Sequence, residues 1–111
     1  RYEGYELEDA RIVVVSYGCT ARSARSAVLQ ARAKGIPVGL LRLITIWPFP
    51  EKILQELAGK VDQFIVAEMN LGQIRLEVER VTHRTAKGVH HAGGEMIPPG
   101  PIYDAIREVA K

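Results

Sequence analysis

Apolar residues in this chain change their spacing repeatedly, and each change marks an element. Ile12, Val13, Val14 and Val15 run without alternation, and a β-branched run with no polar face suits a strand covered on both sides, as in a parallel sheet between helices. Gly18 then lets the backbone turn, and Thr20 is placed to cap the N–H groups that follow. Ala24, Ala27, Val28 and Ala31 form one stripe at helical spacing. Because the stripe is mostly alanine, the helix axis can lie close on the sheet, with Arg22, Arg25, Gln30, Arg32 and Lys34 toward the solvated side. Arg11 to Lys34 is therefore a strand, a tight turn and a helix, and the rest of the chain repeats that unit.

Residues 1–10 are acidic and aromatic and read as an edge strand or the end of a linker, leaving 11–111 as the domain proper. Gly35 ends the first helix. Val38 to Ile46 is the second strand, where Arg42 must sit at the emerging end or pair with a carboxylate. Pro48 and Pro50 forbid a continued ladder, and Ile53, Leu54, Leu57 and Ala58 supply a second helical stripe up to Gly59. Asp62 to Met69 is the third strand, with Glu68 at its C-terminal end. Ile74, Val78 and Val81 recur on a third helix whose last turn holds His83 and Arg84. Lys87-Gly88 reads as punctuation, Val89 to Ala92 as a fourth short strand, and Ile102, Ala105, Ile106 and Val109 as a final helix opened by Pro101. Strands alternating with helices through short loops predict an α/β fold, a three-layer α/β/α sandwich around a mainly parallel sheet.

In an open sheet of this kind, ligands and partners sit beyond the C-terminal strand ends where strand order reverses. If the first and third strands are neighbours at that reversal, the crevice is lined by Gly18, Thr20 and Arg22 on one side and Glu68, Asn70, Gly72 and Gln73 on the other. These seven residues are the candidate site, as a docking surface for another domain or subunit. The competing reading is that they only satisfy turns and caps.

Composition narrows the chemistry. A chain of 111 residues that is 47% hydrophobic and 25% charged fits one globular domain, and about two thirds of its unfolded surface can be buried at this size. Fifteen basic residues against thirteen acidic ones is a small excess for a nucleic-acid binder, so the Arg22, Arg25, Arg32 and Lys34 cluster reads as a solvated helix face. No run reaches membrane-spanning length, no signal pattern opens the chain, and one cysteine fits a reducing, cytoplasmic setting. The first residue is Arg1 rather than Met, which is expected of a piece of a longer protein. Neither G-x-G-x-x-G nor a P-loop occurs. Cys19 reads as a small residue packed in its turn. His90, His91 and Glu95 hint at a metal, but adjacent strand residues point to opposite faces and there is no second spaced pair. Met69 and Met96 read as packing filler, Trp47 and Phe49 as interface or core.

Three motifs in order resemble one family: Tyr17-Gly18-Cys19-Thr20-Ala21-Arg22, Leu41 to Pro50 (LRLITIWPFP), and Glu68-Met69-Asn70-Leu71-Gly72-Gln73. They are similar to the C-terminal, transketolase C-terminal-like domain of the alpha subunit of 2-oxoacid:ferredoxin oxidoreductases, nearest the 2-oxoglutarate-using branch (2-oxoglutarate synthase). The resemblance runs from about Asp9 to the end. Cys19 stands where the family turn is expected to carry Ser.

The resemblance implies a part of an enzyme. The parent would oxidatively decarboxylate a 2-oxoacid, 2-oxoglutarate in that branch, with thiamine diphosphate and magnesium. It would pass electrons through an iron-sulfur cluster to ferredoxin and form an acyl-CoA, succinyl-CoA, from coenzyme A. The domain itself would hold no cofactor and no catalytic residue, and its partners would be the other alpha-subunit domains and the beta subunit, with neither nucleic acid nor membrane. The lack of cluster-forming cysteines agrees with that division. Two further readings remain open: an anticodon-binding-like RNA module using Arg22, Arg25 and Arg32, and a small-molecule binder at Gly18 and Asn70. The C-terminal domain of another thiamine enzyme, of the pyruvate dehydrogenase beta type, is a further alternative, because it shares the same strand-turn-helix order, the arginine after the second strand and the glutamate ending the third.

Overall fold

The computed structural model describes residues 1–69, 72–90 and 96–111. Five strands, β1 (Tyr2–Tyr5), β2 (Ile12–Tyr17), β3 (Val38–Leu43), β4 (Gln63–Ala67) and β5 (Ala86–Val89), form one sheet in the order β1-β3-β2-β4-β5. The β2–β3, β2–β4 and β4–β5 pairs are parallel, whereas β1 runs antiparallel along the β3 edge. Helices α1 (Thr20–Ala33), α2 (Glu51–Ala58), α3 (Gln73–Thr82) and α4 (Pro99–Ala110) complete the described elements.

The unbroken apolar runs are explained by two separate cores. Val13, Val15, Leu41, Leu43, Phe64 and Val66 point to the face covered by α2 and α3, where Leu54, Leu57, Ile74, Val78 and Val81 meet them. Their sequence neighbours Ile12, Val14, Val38, Leu40 and Ile65 point the other way, onto the alanine stripe of α1 and Ile102, Ala105 and Ile106 of α4. Period-two alternation with both faces apolar is the signature of a sheet in the middle of a sandwich. Each fully buried aliphatic side chain contributes about 1.5–3 kcal/mol, so the two faces together fix register: a one-residue slip of β2 would exchange its partners wholesale.

The first ten residues resolve into an edge strand. Glu3 stands opposite Arg42 in the β1–β3 register, and the two side chains pair at 3.2 Å. Arg32, expected on the solvated side, instead turns back: it donates to Val38 O at 2.7 Å and Glu6 O at 2.9 Å and pairs with Asp9 at 2.6 Å. That hydrogen bond holds the Asp9 carboxyl below its usual value and raises the guanidinium of Arg32. Arg32 is thereby withdrawn from any stripe of phosphate contacts along α1.

Three other expectations are corrected. The second and third strands are shorter than their apolar runs, ending at Leu43 and Ala67. The last strand lies at Ala86–Val89, three residues before the expected start, because Lys87-Gly88 belongs inside it. Lys87 pairs with Glu108 at 3.1 Å, and Gly88 makes room for side chains crossing the strand. A Cβ there would meet His90 Nε2 at 2.8 Å and Arg75 Cδ at 3.0 Å. The end of the expected strand, 91–92, falls outside the described residues. Finally, α3 stops at Thr82, with His83 left-handed at its C-cap. Arg84 lies beyond it and donates to Ala58 O, Val61 O and Asp62 O, closing the chain after α2 instead of the end of α3.

Candidate functional site

β2 sits between β3 and β4, so strand order reverses there, and the turns after β2 and β4 flank one crevice. Gly18 turns with φ +68°, which only a residue without Cβ adopts readily, and leads into α1 through Cys19 at the N-cap. Ser16, fully buried at the end of β2, donates to Ala67 O at 2.9 Å and ties the ends of the two strands together. Between the turns lies a cleft of about 300 Å³ lined by Tyr17, Gly18, Cys19, Glu68, Met69 and Ile74. It shares Ile74 with a second cleft of about 410 Å³, walled by Ile46, Trp47, Phe49, Gln73 and Leu76.

Glu68 has a different place from the one its strand-end position suggests. It is 2% exposed, and its two carboxylate oxygens accept the backbone N–H groups of Ile74 and Arg75, each at 2.9 Å. A buried carboxylate on the first turn of a helix satisfies donors that have no intrahelical partner and lies at the positive end of the helix dipole. Gly72, at φ +89°, is the left-handed N-cap residue that aims those N–H groups at it. Glu68 and Gly72 are therefore structural parts of α3.

The other candidates divide. Gly18 lines the first cleft and Gln73 the second. Thr20 caps nothing: it starts the helix instead of preceding it, and its Oγ1 is buried without a hydrogen-bond partner among the described residues. Arg22 lies outside the crevice, on the groove beside β1 and β3. Asn70 lies outside the described residues. Cys19 is exposed, not packed away, with its thiol 3.7 Å from the Met69 sulfur. Tyr17, Trp47, Met69 and Leu76 are exposed apolar side chains, Trp47 to 73%. Of these, Leu76 had a sequence signal, an apolar residue off the Ile74-Val78-Val81 stripe.

No three His, Cys, Asp or Glu side chains converge among the described residues, and His90 and Arg75 both border the space over Gly88. His91 and Glu95 are outside the described residues. No described helix is long and apolar enough to cross a membrane.

Residues 10–102 match the family described as pyruvate:ferredoxin oxidoreductase core domain II. The chain belongs to this family. It is 47% identical over 111 residues to the ketoisovalerate oxidoreductase subunit VorB of Methanothermobacter thermautotrophicus, covering 99% of this chain and 32% of that protein. The 2-oxoglutarate synthase subunit KorA of Methanocaldococcus jannaschii is 44% identical over 108 residues, covering 96% of this chain and 29% of KorA. The core domain II chain thus spans about a third of the length of the curated relatives it matches. Among solved structures, 2-oxoglutarate:ferredoxin oxidoreductase from Magnetococcus marinus superposes with a TM-score of 0.89 at 22% identity, over all of this chain and 20% of that one. A split-gene transketolase, an inactive beta4 tetramer, superposes at 0.80 and 18% identity over 97% of this chain and 41% of that one. At these identities the structures speak to the fold, a transketolase C-terminal-like core domain II. The two relatives carry the names of different 2-oxoacid enzymes, so the 2-oxoglutarate branch is not singled out.

Proposed function

We propose that this core domain II is the non-catalytic organising and interface domain of a 2-oxoacid:ferredoxin oxidoreductase, and that its crevice docks the remainder of that enzyme. The parent activity is the thiamine-diphosphate-dependent oxidative decarboxylation of a 2-oxoacid to an acyl-CoA with reduction of ferredoxin, in the cytoplasm. The proposal is made for 2-oxoacids as a class, because the relatives' names divide between ketoisovalerate and 2-oxoglutarate. The donors present do not fit an iron-sulfur cluster, which needs several thiolates where this chain has one. Those groups are accordingly assigned to other parts of the parent enzyme.

The observation that carries the docking reading is the apolar surface at the carboxyl end of the sheet. Trp47, Leu76, Tyr17 and Met69 are exposed around two clefts that share Ile74. A joined apolar surface centred on an aromatic anchor is what an interface buries. Because Trp47 and Leu76 are exposed in the chain alone, replacing either by Ala should leave the unfolding midpoint of the 111-residue chain within about 2 °C. In the complete enzyme either change should weaken assembly by about tenfold or more, as measured by sedimentation across a dilution series. Unchanged assembly for both variants would overturn the docking reading.

A further inference from the structure

Most arginines of the chain are matched. Arg11 pairs with Asp62, Arg75 with Glu79, and Arg80 with Glu77 and Glu51, while Arg32 and Arg84 are held by the groups described above. A groove of about 700 Å³ between the start of α1 and the β1–β3 edge is different. Arg22 and Arg25 of α1 and Arg42 of β3 line it, with Glu3 as the one carboxylate in the lining. Three positive groups against one negative leave a local excess of two, equal to the net charge of the whole chain. Arg22 has no ion pair among the described residues, whereas Arg42 leans on Glu3 at 3.2 Å. The Arg25 guanidinium is laid over the Tyr5 ring at 5.1 Å from its centroid. That stacking keeps the planar fork oriented with its edge N–H groups free to donate.

The helix adds to the same sign. Ala21, in the first turn of α1, also lines the groove, and that turn contains no acidic residue to offset the positive end of the helix dipole, although the Ala21 and Arg22 N–H groups themselves donate to Gly18 O and Cys19 O. Three like charges gathered around a single counter-charge repel, and an oxyanion placed among them relieves the repulsion while offering acceptors to each fork. A phosphoryl group, with a charge of about −2 and three terminal oxygens, carries what three guanidiniums call for; a single carboxylate carries one charge and two oxygens. The groove faces the α1 side of the sheet, away from Trp47 and Leu76 on the α2–α3 side.

We propose that this groove is a binding site for a phosphoryl anion of pyrophosphate size, held by Arg22 and Arg25, with Arg42 exchanging Glu3 for the ligand. The test is a titration of the 111-residue chain with inorganic pyrophosphate at low ionic strength, followed by backbone amide NMR shifts. Saturable shifts are expected at residues 21–25 and 42, with a dissociation constant of about 1 mM or tighter. Arg22→Ala and Arg25→Gln, both at exposed positions, should each weaken binding about tenfold. Glu3→Gln should tighten it several-fold by releasing Arg42, a change of opposite sign that general loss of structure would not produce. Lys34→Ala, just past the far end of α1, should leave it unchanged, and amide shifts away from the groove verify the fold of every variant. Absence of saturation, equal weakening by Lys34→Ala and Arg22→Ala, or hexaglutamate binding as tightly as pyrophosphate would each overturn the proposal; the last would make the groove a contact for acidic polypeptide.

Discussion

α1 and α3 both begin at the carboxyl end of the sheet, on opposite walls of one crevice, and they begin in opposite ways. α3 opens onto Glu68, whose carboxylate is buried and bonded to two backbone N–H groups at 2.9 Å. α1 opens from a glycine turn and exposed Cys19, with no side-chain cap and with the Thr20 hydroxyl buried and unpartnered among the described residues. The wall that carries the buried carboxylate has already used it internally, while the other holds one buried hydroxyl with no partner among the described residues. An acidic residue at a strand end in a crevice is thus a poor guide to function until its lone pairs have been accounted for.

The comparison can be broken most directly at Glu68. Removing the side chain as Glu68→Ala leaves two N–H groups without their acceptor, and should cost about 3 kcal/mol of folding stability in urea unfolding. Glu68→Gln, which keeps one oxygen and the shape, should cost about half that. A loss below about 0.5 kcal/mol for Glu68→Ala would show that the carboxylate is dispensable to α3. The α1 side predicts a smaller effect of the opposite sign. Thr20→Val retains the shape and removes a buried hydroxyl that has no partner among the described residues, so the chain should gain about 1 kcal/mol. A loss of that size instead would mean that the hydroxyl is bonded and that the two walls are more alike than described.

The layers were legible because they rest on spacing. The Ile12 to Val15 run and the alanine stripe of α1 demand a two-faced sheet, whereas the reversal between β2 and β4 was a supposition that the sheet order β1-β3-β2-β4-β5 meets. What was not legible depends on partners distant in the chain. The Glu68 cap needs N–H groups six and seven residues later, brought back by a left-handed Gly72. Arg32 looked solvated on its helix, because nothing local shows that β1 and the following turn place Asp9 and Glu6 O beside it. Lys87-Gly88 imitates a turn, since glycine in a strand making room for Arg75 and His90 has the same letters as glycine ending one. In the crevice, Gly18 and Gln73 were found by topology. Trp47 was open between interface and core in the sequence, and its exposure, with that of Leu76 off the α3 stripe, decides for the surface.

The central claim is that the carboxyl end of this domain is a covered face in the parent enzyme, and side-chain footprinting tests it most directly. Hydroxyl-radical oxidation of the 111-residue chain and of the complete enzyme should differ at Trp47, Tyr17 and Met69, each exposed in the chain alone. The account predicts that assembly slows oxidation at these three positions about tenfold, the size of effect expected for an anchor excluded from water. Leu29, equally apolar and 46% exposed on the outer side of α1, should be oxidised at the same rate in both. Trp47 oxidised as fast in the complete enzyme as in the chain alone would contradict the account.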